Sequence, residues 1–176
     1  MEIWRQIALD RENGARELVA EYGDRLFRRA LMLCRDEHAA EDLVFRTLER
    51  VVDKIGLYNP EMSFWNWTYT LMLNLFRTDL RKMRVEVVDE PEMVDELADD
   101  GEAMSHIADA DAALVRRAVE SLSPALREAV ALRYFEDRSI EEIAALLAVP
   151  TGTVKRRLHE ARTRLAQVLK AFFSQN

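Results

Sequence analysis

The sequence contains little of what disulfide-linked or membrane-spanning proteins need. It has one cysteine in 176 residues, Cys34, which excludes an internal disulfide framework and is typical of a reducing compartment. Cys34 falls on an apolar helical face, so we expect it to be a buried small hydrophobe. No apolar run reaches the length of a membrane span, and the opening residues MEIWRQIALDRENG do not resemble a signal peptide. These absences predict a cytoplasmic protein with no segment inserted in a membrane.

Patterns that carry catalytic or metal chemistry are also missing. The three histidines, His38, His106 and His159, stand far apart in different segments. There is no metal-ligand spacing, no glycine-rich phosphate loop, and no serine, cysteine or histidine arrangement typical of a nucleophile. We therefore expect neither a metal nor a cofactor, and an enzyme is the least favoured class of function.

What the sequence does have is an uneven distribution of charge. With 25 basic and 32 acidic residues the net charge is −7, which by itself argues against binding to nucleic acid. The net charge is 0 over residues 1–84, −11 over residues 85–111 and +4 over residues 112–176. Residues 85–111 contain no basic or aromatic residue and show little helical periodicity. We interpret them as a flexible acidic linker between two small helical domains, 1–84 and 112–176.

Residues 139–165 have the pattern of a helix-turn-helix. The first helix has its apolar positions at i, i+3, i+4 and i+7: Ile140, Ile143, Ala144 and Leu147. The second helix, with Thr151 as its expected N-cap, has an apolar stripe of Val154, Leu158, Ala161 and Leu165. Its opposite face includes Lys155, Arg156, His159 and Glu160. Arg157, Arg162 and Arg164 fall on the flanks, where DNA phosphates would lie.

Two amphipathic helices joined by a short turn also occur in many helical proteins, where a basic outer face is only solvated. The pattern alone therefore leaves both interpretations open. The positive charge of residues 112–176 favours a surface that enters a DNA groove.

Three amphipathic helices are predicted in the first domain. The first is marked by Leu18, Tyr22, Leu26, Ala30 and Leu33, and the second by Ala40, Val44, Thr47, Leu48, Val51 and Ile55. The third begins after Ser63, a candidate N-cap, and is apolar over most of its circumference, so it should be largely buried. Its polar stripe is Asn66, Thr70, Asn74, Arg77, Arg81 and Arg84. Such a stripe is either an ordinary solvated face or a surface that follows a nucleic-acid backbone.

Aromatic residues crowd around the start of the third helix. Trp67 and Phe64 are expected in the core. Trp65 and Tyr58 are the better candidates for stacking on unpaired bases, as aromatics do in proteins that hold single strands.

Taken together, these features resemble a bacterial RNA polymerase sigma factor of the extracytoplasmic-function (ECF) group, which keeps conserved regions 2 and 4. In region 2 the resemblance rests on AEDLV at 40–44, SFWNW at 63–67 and LNLFRTDLRKMR. In region 4 it rests on LSPALREAVALRYFEDRSIEEIAALLAVPTGTVKRRLHEARTRL. The resemblance implies a factor that binds core RNA polymerase and promoter DNA and is held in check by an anti-sigma factor. Nothing in the sequence indicates self-association, so we expect a monomer when the protein is free of its partners.

The same resemblance implies roles for individual residues. Those that read or flank the minus 35 element are Lys155, Arg156, Arg157, His159, Glu160, Arg162 and Arg164. Those that contact the opened minus 10 strand are Tyr58, Asn59, Trp65, Asn74, Arg77, Arg81 and Arg84, with the loop IGLYNPEM at 55–62 holding a flipped base. Those that bind polymerase are Glu41, Asp42, Phe45, Arg46 and Glu49.

The chain departs from the family pattern at two places. Phe45 and Arg46 stand where the family usually has glutamine and glutamate, and the helical wheel places Phe45 about 120° from the apolar stripe, in an exposed position. Arg156 and Glu160 stand where serine and a basic residue are frequent. Two alternatives to a sigma factor stay open: a sigma-like decoy that sequesters an anti-sigma factor, and a helix-turn-helix repressor, which would leave the N-terminal half unexplained.

Overall fold

The computed structural model describes residues 2–84 and 112–173, and the predicted linker, residues 85–111, lies outside them. The chain divides into two compact units, residues 1–90 and 91–176. Every element in the described ranges is a helix or a helical turn, so the predicted all-α class is confirmed. No helix within these ranges is both long and apolar enough to cross a membrane.

The first unit contains one more helix than the sequence predicts. Its helices are α1 (Ile3–Leu9), α2 (Arg11–Cys34), α3 (Glu37–Lys54) and α4 (Phe64–Arg84), with a 3-10 turn at Ile55–Leu57. α2, α3 and α4 correspond to the three predicted helices. α1 is too short to show a helical period on its own, and it is fixed by packing against α2 rather than by local sequence.

Capping side chains set the boundaries of these helices. The carboxylate of Asp10 accepts hydrogen bonds from the amides of Glu12 (3.2 Å) and Asn13 (3.1 Å) at the start of α2. Asp36 accepts one from the amide of Ala39 (2.8 Å) at the start of α3. The hydroxyl of Ser63 accepts one from the amide of Asn66 (3.4 Å), in keeping with its predicted position before α4.

The core of this unit is built around α4. Its buried residues are Phe64, Trp65, Thr68, Tyr69, Met72, Leu73 and Phe76. They confirm that the third predicted helix is largely inside. Ile3 and Ile7 of α1 complete this core beside Leu18 and Val51. Cys34, expected to be buried, is only partly so, because it is the last residue of α2.

The second unit contains the predicted helix-turn-helix. Its helices are α5 (Ala112–Glu120), α6 (Pro124–Val130), α7 (Ile140–Leu147) and α8 (Thr151–Phe173), with one π-helical turn at Ala131–Phe135. α7 opens with a capping box in which Ser139 and Glu142 satisfy each other's backbone amides. α7 is capped at its C-terminus by Ala148, whose left-handed backbone (φ 52°) reverses the chain towards α8.

α8 matches the predicted second helix in its faces but not in its cap. Val154, Leu158, Ala161 and Leu165 are all buried, as the apolar stripe predicts. The expected N-cap is displaced by one residue, because Thr151 is already helical and the carbonyl of Pro150 accepts the first helical bond, from the amide of Val154 (3.2 Å).

Candidate nucleic-acid and partner-binding surfaces

The outer face of α8 carries the basic residues assigned to duplex DNA. Lys155 and Arg164 are exposed, while Arg156, His159 and Glu160 are partly buried. Arg157 and Arg162, on the flanks of the stripe, are also partly buried. All seven residues predicted for the minus 35 element therefore lie on the part of α8 that is turned away from its buried stripe or on its edges. Such a face, following the short turn after α7, has the form of a recognition helix.

One ion pair on this face bears on the role expected of Arg164 as a phosphate contact. Glu160 and Arg164 are one helical turn apart, and a carboxylate oxygen of Glu160 lies 2.6 Å from a guanidinium nitrogen of Arg164. Arg164 is therefore partly neutralised before any phosphate approaches. Lys155 stays an exposed cation one turn from the start of α8.

The polar stripe of α4 is only partly exposed. Asn74 and Arg81 are exposed, and Arg77 is partly buried. Arg81 donates to the hydroxyl of Thr78 (3.3 Å), which fixes the side chain along the helix surface. Arg84 is the last residue of α4, and its side chain lies outside the described residues. The stripe thus places an amide and at least two guanidinium groups in a row along one helix.

A groove runs beside this stripe between α3 and α4. It has a volume of about 340 Å³, and its walls are formed by Arg50, Lys54, Leu57, Trp67, Leu71, Asn74, Leu75 and Thr78. Two cations from α3 face an amide and a hydroxyl from α4 across an apolar floor. That combination can bind a planar heterocycle with a phosphate beside it.

Arg50, Lys54 and Trp67 are residues that the sequence reasoning missed. The available signal was the i, i+4 pair of cations at the end of α3, immediately before the loop assigned to a flipped base. Their proximity to Asn74 comes from the packing of α3 on α4, which no local pattern specifies.

Trp65 is predicted from the sequence to stack on unpaired bases, and its burial argues against that role. Trp65 is only 7% exposed, whereas Trp67, predicted to be core, is partly exposed at the groove. The guanidinium of Arg25 lies 3.7 Å from the centre of the Trp65 ring, and Tyr22 and Tyr69 stack on it. A ring sandwiched in this way has no face left for a nucleobase. The sequence pattern did not distinguish the two rings because α4 is buried on most of its sides.

Tyr58 and Asn59 are held by the loop that contains them. The Tyr58 ring packs against Trp4, Phe64 and Trp67, and its hydroxyl donates to the carbonyl of Met62. Burial of the ring, with a smaller contribution from Glu2, raises the pKa of the Tyr58 hydroxyl. Asn59 is exposed and its side-chain oxygen accepts from the amide of Glu61 (3.1 Å). Tyr58 therefore buttresses the loop, and Asn59 is presented on its surface.

A second groove lies on the α2 and α3 side of the first unit. It has a volume of about 350 Å³ and is lined by Arg11, Ala15, Leu18, Val19, Phe45, Leu48, Glu49, Val52 and Asp53. Phe45 is 62% exposed, which confirms the orientation predicted by the helical wheel. Glu41, Asp42 and Glu49 are also exposed, so the surface combines an apolar centre with acidic neighbours.

Arg46 differs from the other residues assigned to polymerase. Its guanidinium donates to both carboxylate oxygens of Asp79 on α4, at 3.2 and 2.6 Å, and its Nε lies 2.8 Å from Asp42. The hydrogen bond to Asp79 raises the pKa of Arg46, with smaller effects in the same direction from both carboxylates' charge. In the free protein this side chain links α3 to α4, and its role in polymerase binding stays a prediction.

Within residues 2–84 and 112–173, no group of three or more histidine, cysteine, aspartate or glutamate side chains is arranged to hold a metal ion.

Comparison with known families supplies two matches, one in each unit. The model for sigma-70 region 2 matches residues 18–85, and the model for sigma-70 region 4 matches residues 112–165. The grooves of α3 and α4 thus fall in the first match, and the helix-turn-helix falls in the second.

Relatives of known function are similar over most of the chain. It is 37% identical over 157 residues to the ECF RNA polymerase sigma factor SigE of Mycolicibacterium smegmatis, covering 87% of this chain and 60% of that protein. It is 32% identical over 141 residues to the ECF sigma factor EcfG of Rhodopseudomonas palustris, covering 80% of this chain and 76% of that protein. The chain thus spans less than two thirds of the length of the SigE relative.

Solved structures show the same fold. The sigma factor RpoE of Bartonella quintana, crystallised with the anti-sigma factor NepR, superposes with a TM-score of 0.64 and 26% identity, covering 88% of this chain and 96% of that one. CnrH, in complex with the cytosolic domain of CnrY, superposes with a TM-score of 0.60 at 22% identity, covering 96% of each chain.

Proposed function

The chain belongs to the ECF group of RNA polymerase sigma factors, and from that membership we propose that it binds core RNA polymerase and directs it to promoters with two separate DNA surfaces. The observation that carries the proposal is the pairing of two different basic sites, one in each unit. The outer face of α8 suits a duplex, and the groove between α3 and α4 suits an unpaired base.

In the second unit, α8 enters the major groove of the minus 35 element. Arg156 and His159 reach base edges, where arginine favours guanine. Lys155, Arg157 and Arg162 contact phosphates on either side. Glu160 and Arg164 act as a pair, since each is the other's nearest opposite charge along the helix.

In the first unit, the groove receives one base of the opened minus 10 strand. Asn74 offers an amide to the edge of the base, and Arg50 and Lys54 neutralise the neighbouring phosphates. Arg77, Arg81 and Arg84 continue the contact along the strand, while Asn59 borders it from the loop. Tyr58 keeps the loop in place through its ring contacts.

The α2 and α3 groove is the proposed contact with core polymerase. Phe45 supplies an exposed apolar anchor, and Glu41, Asp42 and Glu49 surround it with negative charge. An anti-sigma factor is proposed to control access, as one is bound in the solved RpoE relative. We further propose a cytoplasmic monomer when free, with no catalytic activity of its own.

In vitro transcription with core polymerase tests this function. Wild-type protein is expected to support transcripts that start at specific sites of a promoter pool, whereas Phe45→Gln reduces initiation at every promoter and Arg156→Ala changes which promoters are used. If the wild-type protein supported no specific transcript but still captured an anti-sigma factor, the decoy interpretation would replace this one.

A further inference from the structure

The link between Arg46 and Asp79 lies on the same seam between helices as the base-binding groove. On α3, Arg46, Arg50 and Lys54 follow each other at intervals of four residues, so they share one face. Arg50 and Lys54 line the groove, and Arg46 stands one turn before them. The face that holds the groove's cations therefore continues directly into Arg46.

The opposite wall has the same arrangement on α4. Leu71 and Leu75 line the groove, and Asp79 follows them at the next interval of four. Arg46 meets Asp79 at one end of the seam, while Lys54 and Trp67 line its other end. The two helices thus run in opposite directions along the seam, and the ion pair closes it one turn beyond the groove.

The geometry of this pair makes it stronger than an ordinary surface ion pair. Both of its side chains are about one third exposed, at 33% and 31%, and the guanidinium makes two parallel hydrogen bonds to the carboxylate. Asp42, one turn earlier on α3, lies against the remaining Nε at 2.8 Å. Arg46 is consequently fixed from both helices and can hold them at a defined separation.

From these relations we infer that Arg46 is a positioning residue for promoter opening: by bridging to Asp79 it closes the end of the α3 and α4 seam and holds the groove at the width that admits a base. The inference rests on the proposed function, in which that groove receives a base of the opened strand. A carboxylate at position 46 would instead face the carboxylate of Asp79, so the bridge depends on the arginine that this chain has there.

Charge-swap variants of the full-length protein, assembled with core polymerase, test the inference. The DNA is a promoter recovered by the wild-type holoenzyme from a random pool. Three quantities are measured: the affinity for core polymerase, the affinity of the holoenzyme for a duplex with the upstream element alone, and the fraction of open complex from permanganate reactivity of unpaired thymines.

Arg46→Gln is expected to lower the equilibrium constant for opening about tenfold, the effect of losing one charge-assisted bidentate contact, while both affinities stay unchanged. The holoenzyme with Arg46→Asp alone should form less open complex than the holoenzyme with Arg46→Gln, because carboxylates at positions 46 and 79 then face each other. Combining Arg46→Asp with Asp79→Arg should restore part of the lost opening, and not all of it, because Asp42 then faces a carboxylate at position 46. Arg16→Gln, which removes an arginine paired with Glu12 within α2, is the matched control and should open like the wild type.

Three results would overturn the inference: unchanged opening by Arg46→Gln, no recovery in the swapped pair, or a fall in core affinity that accounts for the loss of opening. A fall in core affinity of that size would indicate that Arg46 contacts the polymerase. If Arg46→Gln is too unstable to assay, the swapped pair decides alone. A wild-type holoenzyme that selects no promoter would instead overturn the proposed function, and the inference with it.

Discussion

The carboxylate of Glu160 and the guanidinium of Arg164 lie 2.6 Å apart on the face of α8 that is proposed to meet DNA. Both side chains keep close to half of their surface exposed, at 42% and 49% respectively, so the pair adds little to the stability of the helix. The pair has a larger effect on the electrostatic potential of the surface that is proposed to face DNA phosphates, because Glu160 offsets the positive charge of Arg164.

Glu160→Gln should therefore tighten binding to every duplex. The substitution removes a negative charge from the DNA-facing surface and releases Arg164 towards a phosphate. We expect the slope of log affinity against log salt to become steeper by up to about 0.9, the contribution of one additional phosphate contact. Fluorescence anisotropy at several salt concentrations measures it, and Glu141→Gln, at an exposed position in the first turn of α7, is the control. An unchanged slope would mean that Arg164 already contacts a phosphate in the wild-type complex.

Arg156 and Lys155 should separate base reading from phosphate binding. Arg156→Ala is expected to cost about 1–3 kcal/mol at a single base position and to relax the preference there. Lys155→Ala, the matched neighbour, should weaken binding to all sequences and reduce the salt slope by about 0.9. Binding to a library of single-base variants of the upstream element distinguishes the two. Equal losses on all sequences for both variants would show that the face of α8 is wrongly assigned.

Phe45→Gln should weaken core polymerase binding by about 2 kcal/mol, the size typical of an aromatic anchor at an interface. The free energy of unfolding should hardly change, because Phe45 is 62% exposed in the free protein. Leu9→Gln, at a residue that is 79% exposed on α1, controls for the loss of an exposed apolar side chain. Titration against labelled core polymerase measures the difference. Equal affinities for the two variants would remove Phe45 from the interface.

Gly14→Ala should destabilise the first unit. A Cβ at Gly14 would lie 2.5 Å from backbone atoms of Ile7, so α1 must shift away from α2, at a cost of about 1–3 kcal/mol. Gly23→Ala, where the nearest atom is a side-chain methyl of Val19 at 3.7 Å, should stabilise the same helix by about 0.5–1 kcal/mol. Denaturant unfolding followed by tryptophan fluorescence measures both, since all three tryptophans lie in the first unit. Two variants of equal stability would contradict the close packing of α1.

The cap of α7 should weaken at low pH. Hydrogen bonds with Ser139, first from its backbone amide, together with Arg138, hold the pKa of Glu142 below its usual value. A folded pKa below the unfolded one, about 4.3, means that the cap's stabilisation is complete above that value and is lost as the pH falls through the folded pKa. Hydrogen exchange measures the protection of the α7 amides in the wild type and in Glu142→Gln. The protection should differ between the two proteins at pH 6 and become equal in acid. The difference should shrink but persist in a Ser139→Ala background, because the backbone amide of residue 139 and the side chain of Arg138 still bind the Glu142 carboxylate. A constant gap at all pH values would exclude the carboxylate as its cause.

The sequence predicts the helices of this protein better than it predicts the surroundings of individual side chains. Strong amphipathic periods locate α2, α3 and α8, because each helix buries one continuous stripe. Trp65 and Trp67 are exchanged in the prediction, since α4 packs on several sides and its sequence does not show which of the two rings reaches the surface. The sequence does not predict α1, because the position of this helix depends on a close contact with α2 at Gly14. No local sequence pattern indicates that contact.

The same distinction applies to the candidate sites. The outer face of α8 follows from one helix, and its residues can be read from spacing alone. The groove between α3 and α4 needs two helices brought together, so Arg50, Lys54 and Trp67 are not found from sequence. The bridge from Arg46 is not found from sequence for a related reason: its partner, Asp79, is 33 residues away along the chain.

The bridge between Arg46 and Asp79 joins two helices of the first unit, so it limits where that unit can be cut and rejoined. A hybrid that keeps α4 but takes α3 from a relative with glutamate at position 46 would place two carboxylates against each other across the seam. Transferring the minus 10 preference of this protein into another sigma factor therefore requires the residues at positions 46 and 79 to be transferred together. Over evolutionary time the two positions are expected to covary.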